Sequence, residues 1–138
     1  MKRLLVDLNV ILDVLLDRRP HVNASAAVWT AIELGRAQGL LAAHAVTTLH
    51  YLIRKELGTA QAVHLVSEVL RVFDVAAVDE PVIREALALE FTDFEDGVTA
   101  AAARVAGCEA IVTRDPRGFR RSPIKTLTTE AAALWLST

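Results

Sequence analysis

The stretch Arg3-Leu4-Leu5-Val6-Asp7-Leu8-Asn9-Val10-Ile11-Leu12-Asp13 changes its periodicity at one residue. Leu4, Leu5 and Val6 form an unbroken apolar run that stops at Asp7. A run this short predicts a strand buried on both faces. From Asn9 to Leu16 the pattern is helical, and Asp17, Arg18, Arg19 and Pro20 end it. A buried strand that ends on an acid and passes at once into a helix is the opening unit of an alternating α/β chain.

Outward from this stretch the alternation continues. Asn23 or Ser25 is expected to cap a helix reaching about Leu34, and Gly35 and Gly39 punctuate the chain beyond it. Leu40–Ala43 is a second strand candidate. Thr47 or Thr48 opens a helix to Leu57, with Gly58 in the left-handed position after it. Thr59 caps the next helix, in which Ala62, Val63, Val66, Val69 and Leu70 make one apolar stripe. Phe73–Val78 is a third strand, and Asp79 caps a helix with Pro81 in its first turn. Asp93–Ala106 is helical, Ala110–Thr113 a fourth strand, Arg114–Ser122 a basic loop, Lys125–Leu127 a fifth strand and Glu130–Leu136 a closing helix. Strands alternating with helices imply crossover connections. The expected fold is an α/β, three-layer α/β/α sandwich with a mostly parallel sheet of about five strands.

Composition narrows the function classes. The chain has 138 residues, which favours a single domain spanning 1–138. Apolar residues make up 53% and charged residues 23%, which excludes intrinsic disorder. No apolar run approaches the roughly 18 residues a membrane-spanning helix needs. Lys2 and Arg3 before Leu4 mimic a secretory leader, but Asp7, Asp13 and Asp17 interrupt it and no small-residue cleavage site comes after them. The lone Cys108 excludes an internal disulfide framework and a cysteine zinc cage, and reads as buried and inert. A cytoplasmic location is the expectation. The net charge of −2 means that any contact with nucleic acid must come from a local patch.

In a parallel sheet, ligands bind at the carboxyl ends of the strands. Two strand ends carry acids, Asp7 and Asp115. A third set, Asp93, Glu95 and Asp96, opens the helix that leads into the fourth strand. Carboxylates gathered on one rim repel one another unless a cation neutralises them. Oxygen ligands without paired histidines suit Mg²⁺ or Mn²⁺ rather than zinc. Asn9 and Thr113 are placed to support Asp7 and Asp115. Each acid also has a plainer reading: Asp7 as a helix cap, the triplet as a complement to the helix dipole, Asp115 as a turn former. Arg114, Arg117, Arg120 and Arg121 offer charge for a phosphodiester backbone, or form a solvated loop. His21, His44, His50 and His64 show no metal-ligand spacing, and Trp29 and Trp135 read as packing residues.

Three segments together resemble the motifs of PIN-domain ribonucleases: Leu5 to Asp13, then Asp93-Phe94-Glu95-Asp96-Gly97, then Ala110 to Asp115 with Gly118-Phe119. Their order covers nearly the whole chain, and its size is similar to that of VapC-like toxins of toxin–antitoxin pairs. The resemblance implies a Mg²⁺- or Mn²⁺-dependent endoribonuclease, a homodimer paired with a small antitoxin, leaving a 5′-phosphate and a 3′-hydroxyl. It casts Asp7, Asp96 and Asp115 as metal ligands. Glu95 joins them as a catalytic acid, and Asn9, Thr113 and Asp93 act in support. Leu8 stands where the family usually has a small hydroxyl residue, and His50 where it commonly has Glu. The second departure motivates an alternative: a catalytically weakened PIN-like module that binds RNA or a protein partner. A phosphoacceptor domain, with Asp79 after the third strand, and a small-molecule phosphatase fit the acids less well.

Overall fold

The computed structural model describes residues 1–137. Five strands, β1 (Lys2–Val6), β2 (Ala37–Ala42), β3 (Asp74–Ala76), β4 (Ala110–Val112) and β5 (Lys125–Leu127), form one sheet in the order β3-β2-β1-β4-β5. Every pairing is parallel. The helices are α1 (Leu8–Leu15), α2 (Val22–Glu33), α3 (Ala43–Leu57), α4 (Thr59–Val72), α5 (Glu80–Leu89), α6 (Phe94–Val105) and α7 (Thr129–Leu136). A 3₁₀ turn spans Pro116–Phe119.

The two-residue period of the strands divides the core into two layers. Leu4 and Val6 of β1, Leu41 of β2 and Ala110 and Val112 of β4 face α1, α2, α3, α4 and α7. Leu5, Leu40 and Ile111 face the other way, onto Val82 and Ala86 of α5 and the small residues of α6. Ala100, Ala101, Ala102 and Ala103 are all buried, so the alanine run lets α6 lie close against the sheet. The expected three-layer parallel sandwich is what forms.

Local differences have identifiable causes. The second strand runs from Ala37 to Ala42, not from Leu40 to Ala43, and Gly39 lies inside it, paired with Leu4. Helix α3 starts at Ala43, before Thr47 and Thr48. Both threonine hydroxyls donate to the His44 carbonyl within the helix and cap nothing. Gly58, at φ +90°, has the positive φ expected after α3, and it also occupies the cap position expected for Thr59. Helix α2 begins at Val22 with no side-chain cap from Asn23 or Ser25. The third strand is limited to Asp74–Ala76. Asp79 caps α5 as expected, accepting from the Val82 amide. No helix among the described residues is long and apolar enough to cross a membrane.

Chain order reverses at the centre of the sheet. From β1 the chain crosses to β2 and β3 on one side, and β4 and β5 lie on the other. The carboxyl ends of β1 and β4 therefore form the switch point, where such sheets leave a crevice.

Candidate active site

Asp7 follows β1 directly. Its backbone is extended and its Oδ1 accepts from the Leu8 amide at 2.9 Å, which caps α1. Its Oδ2 accepts from the hydroxyl of Thr113 at 2.8 Å, just past β4. The cap is therefore real, and it also fixes the carboxylate at the switch point. Burial pushes the Asp7 carboxyl above its ordinary range, and Asp93 adds to this. Thr113, the Leu8 amide and Arg114 act in the opposite direction.

The start of α6 brings a second group of acids. Asp93 Oδ1 accepts from the amides of Glu95 and Asp96, at 2.9 and 3.4 Å, and so caps the helix. Asp93 is thus a helix cap as well as one of the acids of the rim. Asp96, half-buried in the first turn, is pushed up to about 7. Burial is the largest cause, followed by repulsion from Asp93, Asp7, Glu95 and Asp115. Those four neighbours are the other acids of the proposed rim. Gly118 lets the 3₁₀ turn come close, because a Cβ there would stand 3.2 Å from Asp96 Oδ2.

Asp96, Asp93 and Asp115 line an open cleft of about 790 Å³ together with Arg117, Arg120 and Arg121. Arg117 Nε donates to Asp115 Oδ1 at 3.1 Å. Arg114 is turned away from this group. Its Nε lies 3.0 Å from Oδ2 of Asp13, which is completely buried. Asn9, in the first turn of α1, is exposed, and its side chain makes no hydrogen bond to Asp7.

Sequence reasoning missed two contributors. Asp13 read as an acid interrupting an apolar run, yet it is buried and also accepts from Ser25 Oγ at 3.0 Å. His44 is half-buried at the start of α3, and its Nε2 lies 3.2 Å from the Glu95 carbonyl oxygen, where it must act as donor. Its place directly after the second strand was the available signal, obscured by the late helix start expected there. His50 lies roughly 9 Å further along the axis at 1.5 Å per residue. It is half-buried, and its side chain makes no hydrogen bond or ion pair among the described residues.

No three acidic, histidine or cysteine side chains among the described residues are close enough to form a ready-made cation cage. The donors nonetheless fit a hard divalent cation. They are all oxygen, they repel one another, and three of them border a cleft open to solvent. A positive charge there would offset the burial and the repulsion that raise the Asp96 carboxyl.

The fold and the rim define a doubly wound α/β sandwich with an acidic site at its switch point. The sequence matches the PIN domain family over residues 3–117, and the chain belongs to that family. It is 25% identical to ribonuclease VapC1 of Aquifex aeolicus (strain VF5) over 134 residues, 94% of this chain and 92% of that protein. A DNA-bound VapBC structure from Salmonella typhimurium superposes with a TM-score of 0.72 at 16% identity, covering 94% of this chain and 99% of the other. A toxin–antitoxin complex from Klebsiella pneumoniae gives 0.68 at 19% identity, covering 91% and 96%.

Proposed function

We propose that the chain is a Mg²⁺- or Mn²⁺-dependent endoribonuclease that hydrolyses RNA phosphodiesters, the toxin of a toxin–antitoxin pair acting as one domain in the cytoplasm. The observation that carries this reading is the acidic cleft itself. Burial and four neighbouring carboxylates push the Asp96 carboxyl up to about 7, and three arginines share the cleft walls.

Asp7, Asp96 and Asp115 would hold the cation, with Glu95 the adjacent acid in the α6 turn. A bound divalent cation supplies a water activated at neutral pH and positive charge beside a phosphate oxygen. The remaining steps belong to the chain. Thr113 and the Leu8 amide fix both oxygens of Asp7. Asp96, whose carboxyl is raised by burial and by its acidic neighbours, would ionise on holding a cation. Arg117, Arg120 and Arg121 neutralise the RNA backbone and set its path past the acids.

An antitoxin and a second copy of the chain are the proposed protein partners. The toxin–antitoxin relative supports the first. Exposed apolar side chains such as Tyr51, Leu57, Val63 and Leu70 on α3 and α4 support a covered surface. The second reading, a weakened RNA- or protein-binding module, rests on His50, which offers no carboxylate. It predicts RNA binding without turnover.

Incubating the purified chain with mixed structured RNA and Mg²⁺ or Mn²⁺, then mapping product ends, tests the proposal. Cuts that leave a 5′-phosphate and a 3′-hydroxyl are expected. Binding without cleavage at any metal concentration would move the assignment to the binding module.

A further inference from the structure

Three consecutive residues after β4 have three different partners. The Thr113 hydroxyl donates to Asp7, the Arg114 guanidinium turns inward to Asp13, and Asp115 lines the cleft. Asp7 and Asp13 belong to the same element, the first as the cap of α1 and the second within it. Helix α1 thus grips two adjacent residues of the segment that carries the third acid. Ser25 of α2 closes the arrangement from the other side, donating to Asp13 Oδ2 at 3.0 Å.

The pair is a poor choice for stability alone. Asp13 is 0% exposed and its Oδ1 has no hydrogen-bond partner among the described residues, while Arg114 Nε faces Oδ2 without an N–H aligned for a hydrogen bond. Apolar side chains would fill the same space at lower cost. What the ion pair does provide is direction. With Arg114 drawn inward, its neighbours on either side are turned toward the rim. The Asp115 amide also donates back to Thr113 Oγ1 at 3.2 Å, so the two rim residues are coupled.

We infer that Arg114, held by Asp13, which Ser25 fixes in turn, is a positioning residue that orients Thr113 and Asp115 for cation binding, and is not a contact to RNA. The inference rests on the nuclease reading, since it concerns the cation that reading requires. Residues that orient metal ligands typically change metal affinity or activity by about 10–100-fold when removed.

The test uses the full chain and two titrations: Mn²⁺ by calorimetry, and a fluorescent single-stranded oligoribonucleotide in EDTA at several salt concentrations. Arg114→Met is expected to lower Mn²⁺ affinity by about tenfold or more, with oligoribonucleotide affinity and its salt dependence as in the wild type. Because Arg114→Met leaves the Asp13 carboxylate buried and unpaired, which puts folding itself at risk, the double variant Asp13→Asn/Arg114→Met decides the matter. It has no unpaired buried charge, yet it should show the same loss of Mn²⁺ affinity. A folded double variant that binds Mn²⁺ like the wild type overturns the inference. So does a salt slope reduced by about one in Arg114→Met, the mark of a lost phosphate contact. A wild-type chain that neither binds Mn²⁺ nor cleaves RNA sinks the nuclease reading, and the inference falls with it. Normal wild-type binding and cleavage with an unaffected double variant sinks the inference alone.

Discussion

The hydroxyl of Thr113 donates a 2.8 Å hydrogen bond to Oδ2 of Asp7, joining residues 106 positions apart at the ends of two adjacent strands. This contact opposes the effect of burial on the Asp7 carboxyl. Thr113→Val removes it at similar volume. The carboxyl then rises further, and the acid limb of the pH–rate profile moves to higher pH. Thr113→Ser should restore the wild-type limb. The loss of a hydrogen bond to a charged, largely buried group is expected to cost about 1.5–3 kcal/mol in denaturant melts.

Asp96 contributes to the pH dependence of the cation-free chain. Its folded value of about 7 lies above the ordinary 3.8, so the folded state holds a proton that the unfolded state releases. By linkage, this group's contribution to stability is complete below about 4 and is lost as pH rises toward about 7. Asp7 is shifted in the same direction. A bound cation would displace these protons, so the rise in Tm from EDTA to Mn²⁺ should grow across that window and level off above it. Thermal melts from pH 4 to 8 measure this directly. A cation effect independent of pH would contradict it.

Gly118 lets the 3₁₀ turn sit against α6, where an added Cβ would stand a tight 3.2 Å from Asp96 Oδ2. Gly118→Ala should displace Asp96 by a few tenths of an ångström without straining the backbone. The expectation is an approximately tenfold or larger fall in kcat from misplacement, with a Tm close to that of the wild type. A large drop in Tm with unchanged kcat would mean that the contact is packing alone.

Arg120 and Arg121 line the cleft, and neither forms an ion pair among the described residues. Replacing both with Ala should weaken RNA binding in EDTA and reduce the salt slope by about 0.7 per lost phosphate contact on a single strand. Mn²⁺ affinity should remain at the wild-type level. Filter binding across a salt series provides the measurement.

Strand ends were the most legible part of this chain. Leu4-Leu5-Val6 before Asp7, and Ile111-Val112 before the segment to Asp115, announce buried strands that deliver acids to one rim. Asp96 was legible because three acids at a helix start are conspicuous. Residues whose meaning depends on contacts between distant elements were not legible. Asp13 and Ser25 meet only when α1 and α2 pack, and in the sequence they read as a run-breaker and a cap. Arg114 is indistinguishable from the other bases of its loop until the fold turns it inward. Gly39 read as a turn. In the sheet it is a strand residue whose absent side chain makes room for Ile32 and the Phe73 ring, which a Cβ would meet at 2.7 and 2.8 Å.

In the proposed mechanism the acids at the β1–β4 rim bind a divalent cation that drives RNA hydrolysis. Mn²⁺ titration of cleavage and of calorimetric binding on the same protein, beside Asp7→Asn, tests it most directly. Saturable Mn²⁺ binding whose midpoint tracks the onset of cleavage is expected, with both lost in an Asp7→Asn chain that keeps the wild-type circular dichroism spectrum. Cleavage that survives either EDTA or Asp7→Asn would contradict it.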